Sequence, residues 1–178
     1  CLFNMIQVMK TILENDKDFI CDIKAPCFQM LTPEEIKIVS ESKTQVLFRK
    51  DDHITKQGAF ASYVLFTVSG YARQYLEAEG TRNFNLRIIK PGEFVGLSSV
   101  FNRNTFEYSS VAITECQAYL IEKKAIADVA KQNGPFGFNI IKRYCELNNN
   151  LLSTIRTLMY KQMNGRMADT LLYIDSIR

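Results

Sequence analysis

The chain has a single histidine, His53. A barrel enzyme that works through a metal commonly gathers several histidines on one ion, and this sequence has no such set. A Ser-His-acid triad would have to run through His53, which stands in the polar turn Asp51-Asp52-His53, where exposure to solvent is expected. No apolar run reaches the ~18 residues of a membrane-spanning helix. The opening residues Cys1-Leu2-Phe3-Asn4-Met5 place no basic stretch ahead of a long apolar core, so they do not read as a signal peptide. They also start without Met, which suggests a fragment boundary. The five cysteines, Cys1, Cys21, Cys27, Cys116 and Cys145, are odd in number and widely scattered. That is a poor disulfide framework and fits a reducing cytoplasm. A net charge of +3 neither demands nor excludes a nucleic-acid partner.

What is present suffices for a globular core. Hydrophobic residues make up 47% of the 178 and charged residues 23%, which suits one sizeable domain with an appended element. Three zones follow one another. In residues 1–42, Met5, Ile6, Met9, Ile12 and Leu13 recur at helical spacing. Thr32-Pro33-Glu34-Glu35 starts a short helix, with Thr32 as cap, Pro33 in the first turn and the acids at the positive end of the dipole. Ile36, Ile38 and Val39 would form its buried side. Residues 43–125 read as many short strands. Tyr63 to Val68 is a buried strand closed by Ser69-Gly70. Tyr71 to Leu76 follows, and Glu79-Gly80 marks a hairpin. Phe84, Leu86 and Ile88 alternate with polar residues, and Cys116, Ala118 and Leu120 alternate in the same way. Such punctuation indicates a sandwich or jelly-roll barrel.

From Ala125 onward the pattern is helical. Asn133-Gly134-Pro135 interrupts it once, and a long helix is expected from about Phe138 to Met163. Ile141, Tyr144, Asn148, Leu151, Ile155, Leu158 and Gln162 recur in alternating steps of three and four, a heptad seam. At the α-helical rise it would be roughly 30 Å long. The helix could pack on its own barrel. The alternative is a two-stranded homodimer, favoured because Leu151, Leu152, Ile155, Leu158 and Met159 make a stripe wider than a small barrel covers. Asn148 would then fix register. Asn164-Gly165 is expected to break the helix, and Arg166 to Arg178 begins another amphipathic one. With the third zone divided at Asn164-Gly165, the boundaries fall at 1–42, 43–125, 126–164 and 165–178.

The order of these parts, together with Pro91-Gly92-Glu93-Phe94-Val95-Gly96-Leu97 and Gly165-Arg166 after the long helix, resembles the Crp/Fnr family of bacterial transcription regulators. The resemblance runs along nearly the whole chain. Gly58, Gly70 and Gly80 stand where such barrels turn, and one expected turn glycine is replaced within Lys50-Asp51-Asp52. It implies a mainly β fold with helices: a double-stranded β-helix (jelly roll) like that of cyclic-nucleotide-binding proteins, with N-terminal helices and a long C-terminal dimerisation helix. It also implies a non-catalytic, cytoplasmic homodimer. DNA contact would belong to a winged helix-turn-helix following the helix that starts at Arg166, and no residue here supplies it.

The resemblance places the effector pocket at Gly96, Leu97, Ser98, Ser99, Phe106, Glu107, Tyr108 and Ser109, but with altered chemistry. Leu97 replaces the carboxylate that pairs with a ribose hydroxyl. Phe106-Glu107 replaces the Arg-Ser pair that holds the cyclic phosphate. Leu151 and Leu152 replace hydroxyl residues on the long helix. Each change removes a polar or charge-assisted contact, and Glu107 adds repulsion toward phosphate. Arg103, Arg87 and Arg73 are the nearest basic candidates. Backbone amides at Gly96 to Ser99 could still form an anion nest, and Ser110 adds a hydroxyl. Two outcomes stay open: a pocket filled by its own side chains, or one for an unknown small effector. No cofactor is expected. Some members of the family hold an iron–sulfur cluster; Cys21, Cys27 and Cys116, with Asp18 in place of a cysteine, match that pattern only in part. Incidental cysteines are the simpler reading.

Overall fold

A computed structural model of the chain describes residues 10–11, 28–77, 83–102, 104–160 and 163–177. Its strands are β1 (Lys10–Thr11), β2 (Lys43–Phe48), β3 (His53–Thr55), β4 (Tyr63–Ser69), β5 (Ala72–Leu76), β6 (Phe84–Ile89), β7 (Phe94–Val95), β8 (Ser109–Ala112) and β9 (Cys116–Glu122). Its helices are α1 (Pro33–Glu41), α2 (Ser98–Phe101), α3 (Lys123–Gln132), α4 (Gly134–Tyr160) and α5 (Met163–Ser176). The strands form two antiparallel sheets, β1-β2-β9-β4-β7 and β3-β8-β5-β6. Strands far apart in sequence pair with each other, β2 with β9 and β3 with β8. This is the jelly-roll wrapping that the strand punctuation predicts.

Burial explains the strand composition. Leu65, Val46, Phe48 and Val95 of the first sheet meet Ala72, Ile89 and Ala112 of the second inside the barrel. On its other face, the first sheet offers Val64, Phe66, Phe94, Tyr119 and Ile121 to a layer made by Phe28, Val39, Ile126, Val129, Phe136 and Ile140. A sheet covered on both faces loses its polar alternation, and β4 is accordingly buried without interruption from Val64 to Thr67. Phe28 sits at the centre of the helical layer, edge-on to Phe66 with centroids 5.4 Å apart.

Local chemistry sets the turns and caps. The Thr32 side chain accepts the Glu35 N–H, and the Glu35 carboxylate accepts the Thr32 N–H at 2.8 Å, a complete capping box. Those bonds, with a further one from Asn133, hold the Glu35 carboxyl below its usual pKa. Asp51 has φ +71°, so the aspartate at the expected glycine position does adopt the left-handed turn. His53 opens β3 and is exposed.

Several expectations need adjustment. Within α1 only Val39 is fully buried, and Ile38 is exposed. The interruption near 133 is one residue, Asn133, and α4 begins at Gly134 rather than Phe138. Asn164 and Gly165 lie inside α5, so they do not end the helix. The Glu79-Gly80 hairpin and the apolar residues Met5, Ile6, Met9, Ile12 and Leu13 lie outside the described residues, while Lys10 and Thr11 within that stretch form β1, paired with β2, rather than a helix. The fold divides into two compact units, Cys1–Ile140 and Ile141–Arg178.

Candidate functional site

The cassette begins at the tight turn after β6. Gly92 donates its N–H to Thr67 O at 2.7 Å, and Thr67 donates to Glu93 O at 2.9 Å, which ties the turn to β4. After β7 the chain passes through Gly96, with φ +79°, into the single turn of α2. Ser99 is buried, and its hydroxyl donates to Gly96 O at 2.7 Å. Ser98 is half-buried.

Two aromatic side chains converge on Gly96. The Phe106 ring lies so close that a Cβ added to Gly96 would stand 2.6 Å from Phe106 Cε1. The Tyr108 hydroxyl accepts the Gly96 N–H at 2.8 Å. Both rings pack against the interior cluster of the barrel. Phe106, which the resemblance aligns with a phosphate-binding arginine, is therefore laid over the Gly96 backbone. Leu97 turns the other way: it is 4% exposed and belongs to the cluster beneath the helices, with Phe28, Phe94 and Phe136. Glu107 is exposed.

The interior face of the second sheet carries a polar row that composition and spacing did not single out. Ala72, Ile89 and Ala112 are cross-strand partners in the interior core. One step of two residues along the strands, on the same face, Gln74 pairs with Arg87 and with Ser110, and Ser110 pairs with Thr55. The Thr55 and Ser110 hydroxyls are 2.7 Å apart. Arg87 Nε donates to Gln74 Oε1 at 2.8 Å, and the guanidinium also bonds the Glu93 carboxylate. An arginine does point into the barrel, but an acid of the cassette itself neutralises it. Beside this row Ser109 is fully buried; its hydroxyl donates to Glu77 Oε1 at 2.5 Å and accepts the Gln57 N–H at 2.9 Å. Among the described residues no buried side-chain nitrogen or oxygen lacks a partner.

Of the other basic candidates, Arg73 is on β5, with its guanidinium 5.0 Å from the Tyr75 ring centroid. Arg103 lies outside the described residues, as do Asp18, Cys21 and Cys27. Cys116 is buried; its thiol donates to Tyr71 O at 3.2 Å, and burial pushes its pKa up. Among the described residues no three His, Cys, Asp or Glu side chains are placed to share a metal ion.

The proposed seam residues from Ile141 to Leu158 fall on α4, and Gln162 lies outside the described residues. Ile141, Tyr144, Leu152, Ile155 and Met159 are exposed large hydrophobics, Asn148 is exposed and Leu151 is half-buried. Leu158 lies on the same helix. Phe138, one helical turn before Ile141, is 69% exposed and extends the apolar set toward the start of the helix. Its place at step three before Ile141 is visible in the sequence, since the helix is expected to start at about this residue. No helix among the described residues is long and apolar enough to cross a membrane.

Comparison with known proteins bears on the whole arrangement. The cyclic nucleotide-binding domain family matches residues 45–133, half of the chain. No curated protein matches it. Similar solved structures include a protein from Eubacterium rectale assigned to the Crp/Fnr family of transcriptional regulators, with TM-score 0.74 and 20% identity over 85% of this chain and 71% of that one. FixK2 from Bradyrhizobium japonicum superimposes with TM-score 0.69 and 21% identity, over 75% of this chain and 66% of its own. The c-di-GMP responsive global regulator CLP from Xanthomonas campestris gives TM-score 0.68 and 17% identity, over 79% and 70%. With the sheet order, the cassette turn at Gly92 and the match over residues 45–133, the chain belongs to the cyclic nucleotide-binding domain family, in the fold that these Crp/Fnr-type regulators share.

Proposed function

We propose that this chain is the sensor and dimerisation part of a Crp/Fnr-type bacterial transcription regulator that does not bind cyclic nucleotide in the usual way. The observation that carries the reading is the closure over Gly96, where Phe106 covers the backbone and Tyr108 takes the amide. A cyclic phosphate would have to displace a packed ring and break a hydrogen bond. Arg87, the described arginine that points into the barrel, is already paired with Glu93. Family and fold are those of regulators rather than enzymes. The dimer forms through Ile141 to Met159 of α4, the protein works in the cytoplasm, and DNA contact is made by a region outside residues 1–178. An effector acts on such a dimer only if it distinguishes two of its arrangements.

Isothermal calorimetry with cyclic AMP and cyclic GMP tests the pocket. No binding is expected at micromolar ligand, and micromolar affinity for either overturns the reading. A second reading is a regulatory module that binds a cyclic nucleotide or another small molecule and acts on a protein partner. It draws on CLP, which responds to c-di-GMP within the same fold. The same titration with cyclic di-GMP separates a changed ligand from a closed pocket.

A further inference from the structure

A cleft of about 440 Å³ opens outside the barrel interior, where the end of β9 meets the start of α3. Its walls include Phe60, Tyr63, Asn104, Glu122, Lys123 and Lys124. The segment before β4 builds one side: Phe60 bridges to Thr105, and Ala61 donates its N–H to Asn104 O at 2.9 Å. This holds Phe60 at the surface with 69% of its area exposed, and Tyr63 is 41% exposed. Two aromatic rings left open beside each other forgo the burial that normally stabilises them.

The opposite side is cationic and preorganised. Lys123 Nζ donates to Ser99 O at 3.0 Å and to Asn104 Oδ1 at 2.8 Å. Those two bonds fix the ammonium 6.0 Å from the Phe60 ring centroid. An ammonium has three donors, so one remains for an acceptor in the cleft. Lys124 is exposed beside it. Both lysines stand in the first turn of α3, at the positive end of the helix, where cations are disfavoured. Glu122 precedes them but makes no side-chain capping bond. Among the described residues that line the cleft, one carboxylate, Glu122, stands against two lysines, and the imbalance favours a bound anion.

We propose that this cleft binds a small organic anion with a flat apolar body, an aromatic carboxylate being the simplest member of the class. The rings of Phe60 and Tyr63 take the apolar body, and Lys123 and Lys124 take the charge. The volume falls within the range of small-molecule sites, roughly 300–1,000 Å³. The site touches the Gly96 turn only through the Lys123 bond to Ser99 O, and its aromatic lining, Phe60 and Tyr63, is distinct from Phe106 and Tyr108.

Nuclear magnetic resonance titration of the full chain tests the site with three probes: phenylacetate, its neutral isostere phenylacetamide, and acetate. Phenylacetate is expected to bind saturably, with intermolecular Overhauser contacts to the Phe60 and Tyr63 rings, and roughly tenfold more tightly than either control. Lys124→Met should weaken it by about tenfold, the scale of one charge-assisted hydrogen bond, and Phe60→Ser should abolish the contacts. Both substitutions are at exposed positions, so the fold is retained. Equal binding of phenylacetamide would reduce the site to a greasy surface. Contacts to Phe106 or Tyr108 would move the ligand to the barrel, and the absence of saturable binding would remove the site altogether. Each of these three results overturns the proposal.

Discussion

Gly96 is held at φ +79° with the Phe106 ring against its backbone. Gly96→Ala must pay for the left-handed conformation and for the ring contact, so a loss of roughly 2 kcal/mol or more is expected in denaturant unfolding. Phe106→Ala should also destabilise the chain. Combined with Gly96→Ala it should cost less than the sum of the two, because removing the ring frees the space the new methyl needs. Additive losses would show that ring and glycine are independent. Glu35 offers a pH test. Its carboxyl is held low in the folded chain by the Thr32 N–H and by Asn133, so its contribution is full above the unfolded value of about 4.3 and is lost as pH falls through the folded one. The stability gap between the wild type and Glu35→Gln should therefore narrow as the solution is acidified below about pH 4. A gap that stays constant would mean the carboxylate charge is not what the capping box uses. The family resemblance assigned both Leu97 and Phe106 to the pocket. That one turns under the helices while the other closes over Gly96 was not legible in the sequence, because the direction of a side chain beside a left-handed glycine depends on what packs there.

At the scale of elements, Asn133 joins three segments. Its amide donates to Met30 O and to the Glu35 carboxylate, and its oxygen accepts the Phe136 N–H, which caps α4. Asn133→Ala is expected to cost about 2 kcal/mol, more than the ~1 kcal/mol of an ordinary cap, since two further bonds go with it. Thermal unfolding measures this, and a loss no larger than that of exposed Ser62→Ala would show that the bonds contribute nothing. Strands β4, β5, β6 and β9 could be read from their apolar runs and turn residues because both are local signals, whereas His53, read as part of a polar turn, opens β3. The helix ends could not. Asn133 alone separates α3 from α4, and Asn164-Gly165 continues within α5. A glycine in a helix costs only about 1 kcal/mol, which neighbouring residues readily offset.

For the whole molecule, the decisive question is what covers α4. Ile141, Leu152, Ile155 and Met159 are exposed apolar residues on one helix, and in the proposed dimer a second copy of the helix would cover them. Replacing Leu152 and Ile155 together by Glu should convert a dimer into a monomer in light scattering coupled to gel filtration, while the barrel keeps its unfolding transition. A dimer that persists would place the interface elsewhere.

Turn residues, apolar runs and heptad steps lie within a few positions of one another along the chain. They were enough to indicate a jelly roll, a cassette with altered chemistry and a long seam helix. The closure of Phe106 and Tyr108 on Gly96, and the polar row from Thr55 through Ser110 and Gln74 to Arg87, depended on pairing strands as distant as β3 and β8. Register between such strands is set by packing across the barrel, so it left no mark in the spacing of either segment alone.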